Sequence, residues 1–166
     1  MATAPDTSDA ALAALAGDVA RLCLREGRTV STAESCTGGY IAKVLTDLAG
    51  SSQWFTAGFV SYSNEAKTTL LGVPADLIAE HGAVSAPVVQ AMAEGALRRA
   101  ATQRAVAVSG IAGPGGGSAA KPVGTVWLAC ASTAADTRVQ RFDFAGDRDQ
   151  VRRATVRAAL EALRAP

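Results

Sequence analysis

The sequence predicts an α/β fold, a three-layer α/β/α sandwich around one mixed sheet of about five strands. Three observations carry that expectation. Short β-branched or apolar runs alternate with segments of helical periodicity through most of the chain. Two further strands are separated by only five residues, 133–137, which makes them an antiparallel hairpin. Hydrophobic residues make up 49% of the 166, enough for one sizeable core.

Residues 1–7 are expected to be disordered, and residues 8–166 to form a single domain. Ser8 to Glu26 reads as a helix, with Leu12, Leu15, Val19, Leu22 and Cys23 on one face and Gly27 closing it. Arg28 to Thr32 is β-branched and reads as the first strand. A turn at Ala33–Gly39 leads into a helix carrying Ile41, Val44, Leu45 and Leu48 at helical spacing. Trp54 to Ser63 is the second strand. Asn64 is placed to cap a helix over residues 65–71, stopped by Gly72, and Pro74 sits in the first turn of a short helix ending at Glu80. Ser85 precedes a longer helix over 86–102, with Val89, Met92, Ala93, Ala96 and Leu97 inward. Arg104 to Ser109 is a buried strand that runs into a glycine-rich loop, Gly110 to Ser118, expected to be mobile. Strands at 124–132 and 138–144 form the hairpin, and Gly146-Asp147-Arg148-Asp149 opens a final helix reaching Arg164. No internal repeat appears.

Composition narrows the function classes. The net charge is +1, with no long run of either sign, which argues against nucleic-acid and membrane-surface partners. No apolar segment is long enough to span a bilayer. The first nine residues lack a basic region and an apolar signal core, so a cytoplasmic protein is expected. The three cysteines, Cys23, Cys36 and Cys130, are far apart and without metal-ligand spacing, so they are read as reduced thiols. The single histidine, His81, precedes Gly82 near a helix end, a poor place for the base of a Ser-His-Asp triad.

The stretch Thr32-Ala33-Glu34-Ser35-Cys36-Thr37-Gly38-Gly39 organises the chain. It presents two hydroxyls and a thiol at a strand-to-helix turn, with two glycines that let a ligand approach the backbone. Such a turn can expose a nucleophile and stabilise an oxyanion. The bland alternative is a helix cap in which Ser35 or Thr37 only satisfies backbone donors. Ligands of open α/β sheets sit beyond the carboxyl ends of strands. That rule brings together the Ser35 turn, the Tyr62–Lys67 segment and the loop containing Ser109, Gly110 and Gly113. Ser35 needs a base. Lys67, desolvated at a strand end, would have its pKa lowered enough to serve, with Tyr62 relaying the proton or orienting the nucleophile. The alternatives are a solvated surface lysine and a half-buried strand tyrosine.

Tyr62 and Lys67 are five residues apart, not the four that stack a dehydrogenase Tyr-x-x-x-Lys pair on one helix face. The Gly-x-Gly-x-x-Gly fingerprint is absent, so a nicotinamide-cofactor oxidoreductase is excluded. The glycine loop could cradle a phosphate but lacks the Gly-Lys-Ser/Thr ending of a P-loop. Arg148 could clamp a phosphate or carboxylate, or pair with Asp147 or Asp149 on the surface.

Five motifs in order, 32–39, 58–67, 109–114, 121–126 and 146–148, together resemble the CinA C-terminal-domain family. The resemblance covers Leu12 to Leu163 in a stand-alone form, and only the residues after Gly-Pro, Gly115-Gly116-Gly117-Ser118, carry glycine where many relatives place an acid. It implies an amidohydrolase that converts nicotinamide mononucleotide to nicotinic acid mononucleotide and ammonia. It implies a Ser-Tyr-Lys catalytic group, falling on Ser35, Tyr62 and Lys67, and neither metal nor organic cofactor. The oxyanion would be held by amides around Cys36, Thr37 and Gly38. Substrate contacts are expected at Cys36, Thr37, Gly38, Gly39, Ser109, Gly110, Gly113 and Arg148. The phosphate is expected on the Gly110–Gly117 loop or near Arg148. The expected partners are this small molecule and further copies of the chain. Two rivals are a non-catalytic nucleotide-binding or regulatory module of the same fold, and an amidase whose nucleophile is Cys36.

Overall fold

A computed structural model describes residues 5–165. Five strands form one sheet in the order β2-β1-β3-β4-β5, where β1 is Val30–Glu34, β2 Phe55–Val60, β3 Arg104–Gly110, β4 Thr125–Ser132 and β5 Arg138–Asp143. β1 runs parallel to both β2 and β3, and β4 and β5 are antiparallel additions. The fold is therefore the predicted mixed α/β sandwich. Helices α1 (Asp9–Glu26), α2 (Tyr40–Thr46) and α6 (Arg148–Arg164) cover one face. Helices α3 (Asn64–Leu71), α4 (Ala75–His81) and α5 (Ala86–Ala100) belong to the other.

Strand alternation builds the two cores. Val106 and Val108 of β3 face α1 and α6, while Ala105 and Ala107 face α5. The α5 face of the sheet is paved with alanines (Ala33, Ala105, Ala107, Ala129 and Ala131), so the helix packs close to the strands. α1 is capped as expected: the Ser8 hydroxyl accepts from the Ala11 amide, and Gly27 closes the helix at φ 60°.

Several boundaries move. β1 begins and ends two residues later than predicted, because pairing to β3 persists from Val30–Arg104 to Glu34–Val108. β2 stops at Val60, since the chain turns there to deliver Ser61 and Tyr62 carbonyls to a side chain. Ser63, not Asn64, caps α3, its hydroxyl accepting from the Ala66 amide. Pro74 is the cap of α4 rather than a first-turn residue. α2 ends at Thr46 and α5 at Ala100, both two residues short of the prediction. The glycine loop is tied at its base, where the Ile111 amide donates to Thr125 and the Gly124 amide to Ile111. Residues 1–4 of the stretch expected to be disordered lie outside the described residues; the Asp6 and Thr7 carbonyls accept from Arg157 and Arg153 of α6.

The topology fixes where chemistry can sit. The chain leaves β1 toward β2 on one side and returns to β3 on the other, so the strand order reverses at β1. Ser35 follows β1, Ser61–Lys67 follows β2 and Gly110–Gly113 follows β3, all beyond the same carboxyl edge.

Candidate active site

Ser35 and Lys67 meet, although 32 residues separate them in the chain. Lys67 Nζ lies 3.1 Å from Ser35 Oγ. It also donates to the carbonyls of Ser61 at 2.9 Å and Tyr62 at 3.1 Å. The lysine is 1% exposed and Ser35 8%. Lys67 sits in the first turn of α3, whose Ser63 cap fixes how the helix starts. Burial lowers the lysine pKa, and only a weaker influence from Cys36 opposes it. Glu65 is exposed and plays no part in that balance.

The three oxygen partners of Lys67 fit an ammonium, and they also fit a neutral amine. An ammonium offers three donors and no acceptor; an amine offers two donors and a lone pair. With its two hydrogens on the Ser61 and Tyr62 carbonyls, the amine turns its lone pair toward the serine O–H. The pair can then act as base and nucleophile.

Glu34, not singled out from the sequence, holds the turn. Its side chain is buried at 1% exposure. One carboxylate oxygen, Oε2, accepts from Thr37 Oγ1 at 2.6 Å, Gly39 N at 3.1 Å and Ile41 N at 2.9 Å, while Oε1 accepts from Ala42 N at 2.8 Å. The carboxylate thus occupies the N-terminus of α2, taking the amides of Gly39, Ile41 and Ala42. Gly38 is also spent, its amide donating to Ser35 O. Among the described residues the amides of Cys36 and Thr37, the two that follow Ser35, donate to no backbone carbonyl and to no other residue's side chain; the Cys36 amide meets only its own thiol. The signal for Glu34 was a lone acid at the end of a β-branched strand, where burial without a cation demands backbone donors. Arg152 was missed too. It donates to Thr37 O at 3.0 Å and lies over the Tyr40 ring, bracing the turn from α6.

The remaining candidates fall in different places. Cys36 lies in the core at 6% exposure. Its thiol is pushed up to about 12, chiefly by burial, with Glu34 adding to the rise and its own amide opposing. It is therefore protonated and poorly nucleophilic at neutral pH. The Tyr62 backbone carbonyl reaches Lys67, but its ring is exposed, and its hydroxyl accepts from Arg148 Nη2 at 3.1 Å. Arg148 also donates to the Gly113 carbonyl at 2.7 Å, so it bridges the β2 and β3 loops. Ser109 is turned away, its hydroxyl donating to Ala83 O at 2.7 Å. Gly110 ends β3 in close contact with β4, where a Cβ would stand 2.6 Å from Val126 Cγ2. His81 is the last residue of α4, beside Glu80. Among the described residues no cluster of three or more His, Cys, Asp or Glu could hold a metal ion, and no helix is long and apolar enough to cross a membrane.

Known proteins share this architecture and sequence. The chain is 54% identical over 156 residues to the nicotinamide-nucleotide amidohydrolase PncC of Escherichia coli strain K12, covering 94% of each protein. It is 58% identical over 146 residues to a CinA-like protein of Geotalea daltonii, covering 88% of this chain but 35% of that longer protein. The crystal structure of the competence/damage inducible protein CihA from Agrobacterium tumefaciens superposes with a TM-score of 0.89 at 45% identity, over 97% of this chain and 96% of that one. The CinA C-terminal domain family model matches residues 12–166, and on these grounds the chain belongs to the CinA C-terminal domain family.

Proposed function

We propose that this chain hydrolyses the carboxamide of nicotinamide mononucleotide to nicotinic acid mononucleotide and ammonia, as a cytoplasmic step of pyridine nucleotide salvage. The observation that carries the reading is the enclosed Lys67 Nζ, 3.1 Å from Ser35 Oγ with two backbone carbonyls fixing its hydrogens. The name and 54% identity of the E. coli relative supply the substrate.

The reaction is acyl transfer. Neutral Lys67 takes the Ser35 proton as Oγ attacks the carboxamide carbon. The carbonyl oxygen becomes an oxyanion on the Cys36 and Thr37 amides. The tetrahedral intermediate breaks its C–N bond while the Lys67 ammonium returns the proton to nitrogen, and ammonia leaves. Water, deprotonated by Lys67, then cleaves the ester, releasing the carboxylate product and free Ser35. Arg148 and Tyr62, joined at the mouth, receive the nucleotide, and the phosphate falls to Arg148 because Glu34 fills the α2 N-terminus. The retained pair of Ser35 and Lys67 counts against a non-catalytic module, and the buried, protonated Cys36 counts against a thiol amidase.

The test is ammonia release from nicotinamide mononucleotide by the purified protein, with a strong chelator present throughout. Serine and lysine supply nucleophile and base, so the rate survives the chelator. No ammonia, or a rate lost to the chelator and restored by zinc, overturns the proposal.

A further inference from the structure

At the opposite end of the sheet from Ser35, three arginines converge on one cavity of about 380 Å³. Arg104 opens β3 and pairs across to Val30 on one side and Ser132 on the other, at the edge where β1 and β3 begin. Arg28 approaches from the α1–β1 connection and Arg138 from the start of β5; Cys130, Ser132 and Asp136 are among the other lining residues. Asp136 is the one acid among them.

Among the described residues the positive charge here exceeds the negative. Arg104 is 5% exposed, and its Nη1 donates to the carbonyls of Leu163 and Ala165 at the end of α6. Carbonyls satisfy its hydrogens without cancelling its charge. Among the described residues its Nε, and Arg28 Nη1, are enclosed with no acceptor. Arg28 pairs with Glu26, but among the described residues neither Arg138 nor Asp136 forms a salt bridge. Burial lowers the Arg104 pKa; Cys130 and Glu26 oppose that fall, while repulsion from Arg28 and Arg138 adds to it. Like charges gathered on a concave, partly buried wall are destabilising until an anion joins them. Guanidinium groups match the oxygens of phosphate through paired N–H donors.

We propose that Arg28, Arg104 and Arg138 form a second anion site, distinct from the Ser35 centre, that binds a phosphate-type oxyanion. The site is independent of the reaction assigned to Ser35 and stands or falls without it.

Inorganic phosphate is the probe, titrated by calorimetry into the full chain at constant ionic strength set by chloride. Phosphate binds the parent protein. The double variant Arg28→Gln/Arg138→Gln, which leaves the Arg104 tether intact, weakens that binding at least tenfold, while Arg148→Gln does not. Unfolding curves in chloride confirm that the double variant is folded; because Arg138 is exposed and Arg28 only half-buried, it keeps its cooperative transition. If the double variant fails to fold, Arg138→Gln alone carries the test and must itself weaken binding. Three results overturn the proposal. One is no phosphate binding at millimolar concentration. Another is binding lost in Arg148→Gln but kept in the double variant, which places the phosphate at the catalytic centre. The third is binding left unchanged in the double variant and in Arg148→Gln alike, which places the phosphate at neither site.

Discussion

Lys67 Nζ faces Ser35 Oγ at 3.1 Å, and the Ser61 and Tyr62 carbonyls take its other two positions. In the proposed reaction the protonation state of this one buried lysine controls activity. Its folded pKa is below the unfolded value of about 10.4. The neutral amine is the working form, so kcat/KM rises with pH along an ionisation below that reference. A profile flat from pH 6 to 10, or one that falls across that range, refutes the base assignment. Lys67→Arg keeps the charge but cannot accept a proton, and is expected to lose nearly all turnover. Near-native turnover in Lys67→Arg makes the lysine an electrostatic anchor.

The same shift predicts a stability effect of stated sign. Between the lowered folded pKa and about 10.4, the unfolded chain binds more protons than the folded one at this position. Unfolding free energy contributed by Lys67 therefore rises with pH through that window and is least favourable below it. Denaturant unfolding of the parent and of Lys67→Met, compared at pH 7 and pH 10, measures it. The advantage of the methionine variant at pH 7 shrinks at pH 10, and a constant difference refutes the shift.

Ser35 and Cys36 are neighbours with opposite fates. Ser35 reaches the lysine, and Cys36 points into the core with a thiol pKa near 12. Ser35→Ala is expected to lower kcat by several orders of magnitude with KM little changed. Cys36→Ala keeps most of the rate and loses stability instead, about 1 kcal/mol for a buried sulfur left as a small void. An alkylating reagent at pH 7.5 leaves activity intact. The reverse pattern in the two variants identifies a cysteine enzyme.

Much of this was legible in the sequence. The alternating periodicities gave the five strands and six helices, and the loops after β1, β2 and β3 gave the right carboxyl edge. That Ser35 and Lys67 come together was readable because both follow strands that end at one edge of the sheet. The division of labour around them was not. Nothing in local spacing says that Glu34 turns back along the chain to fill a helix N-terminus, since its donors lie as far on as Ala42. Nor does spacing say that Tyr62 offers its carbonyl to Lys67 and its hydroxyl to a residue 86 positions away. The cap of α3 falls one residue earlier than the sequence suggests, because Ser63 and Asn64 have similar capping preference and it is the Ser63 hydroxyl that accepts from the Ala66 amide.

Glu34 holds the turn with four hydrogen bonds and touches neither Ser35 Oγ nor Lys67 Nζ. It is a positioning residue. Glu34→Gln turns one acceptor into an NH₂ that faces backbone donors, at a cost of about 2–3 kcal/mol. In the folded population kcat falls while KM and the pH profile hold, because the base is unchanged and the nucleophile is displaced. Glu34→Asp cannot span the same donors and fails to rescue. A shifted pH profile in Glu34→Gln means instead that Glu34 acts on Lys67 directly.

Tyr62 and Arg148 form the last testable pair. The exposed phenol's described partner is Arg148 Nη2 at 3.1 Å, and Arg148 is anchored in turn on Gly113 O at 2.7 Å. That bond holds the phenol at Arg148, which motivates a test of whether it serves substrate or the Ser35 proton. Tyr62→Phe keeps the backbone carbonyl that positions Lys67, so its effect is expected to be far smaller than that of Lys67→Arg and to appear mainly in KM. Arg148→Gln raises KM as well. Because the two side chains share one bond, the double variant is less impaired than the product of the single effects, with a coupling of about 0.5–3 kcal/mol. If Tyr62→Phe instead abolishes kcat as completely as Ser35→Ala, the phenol must swing onto Ser35 during the reaction. The proton path then runs through Tyr62, with Lys67 lowering its pKa.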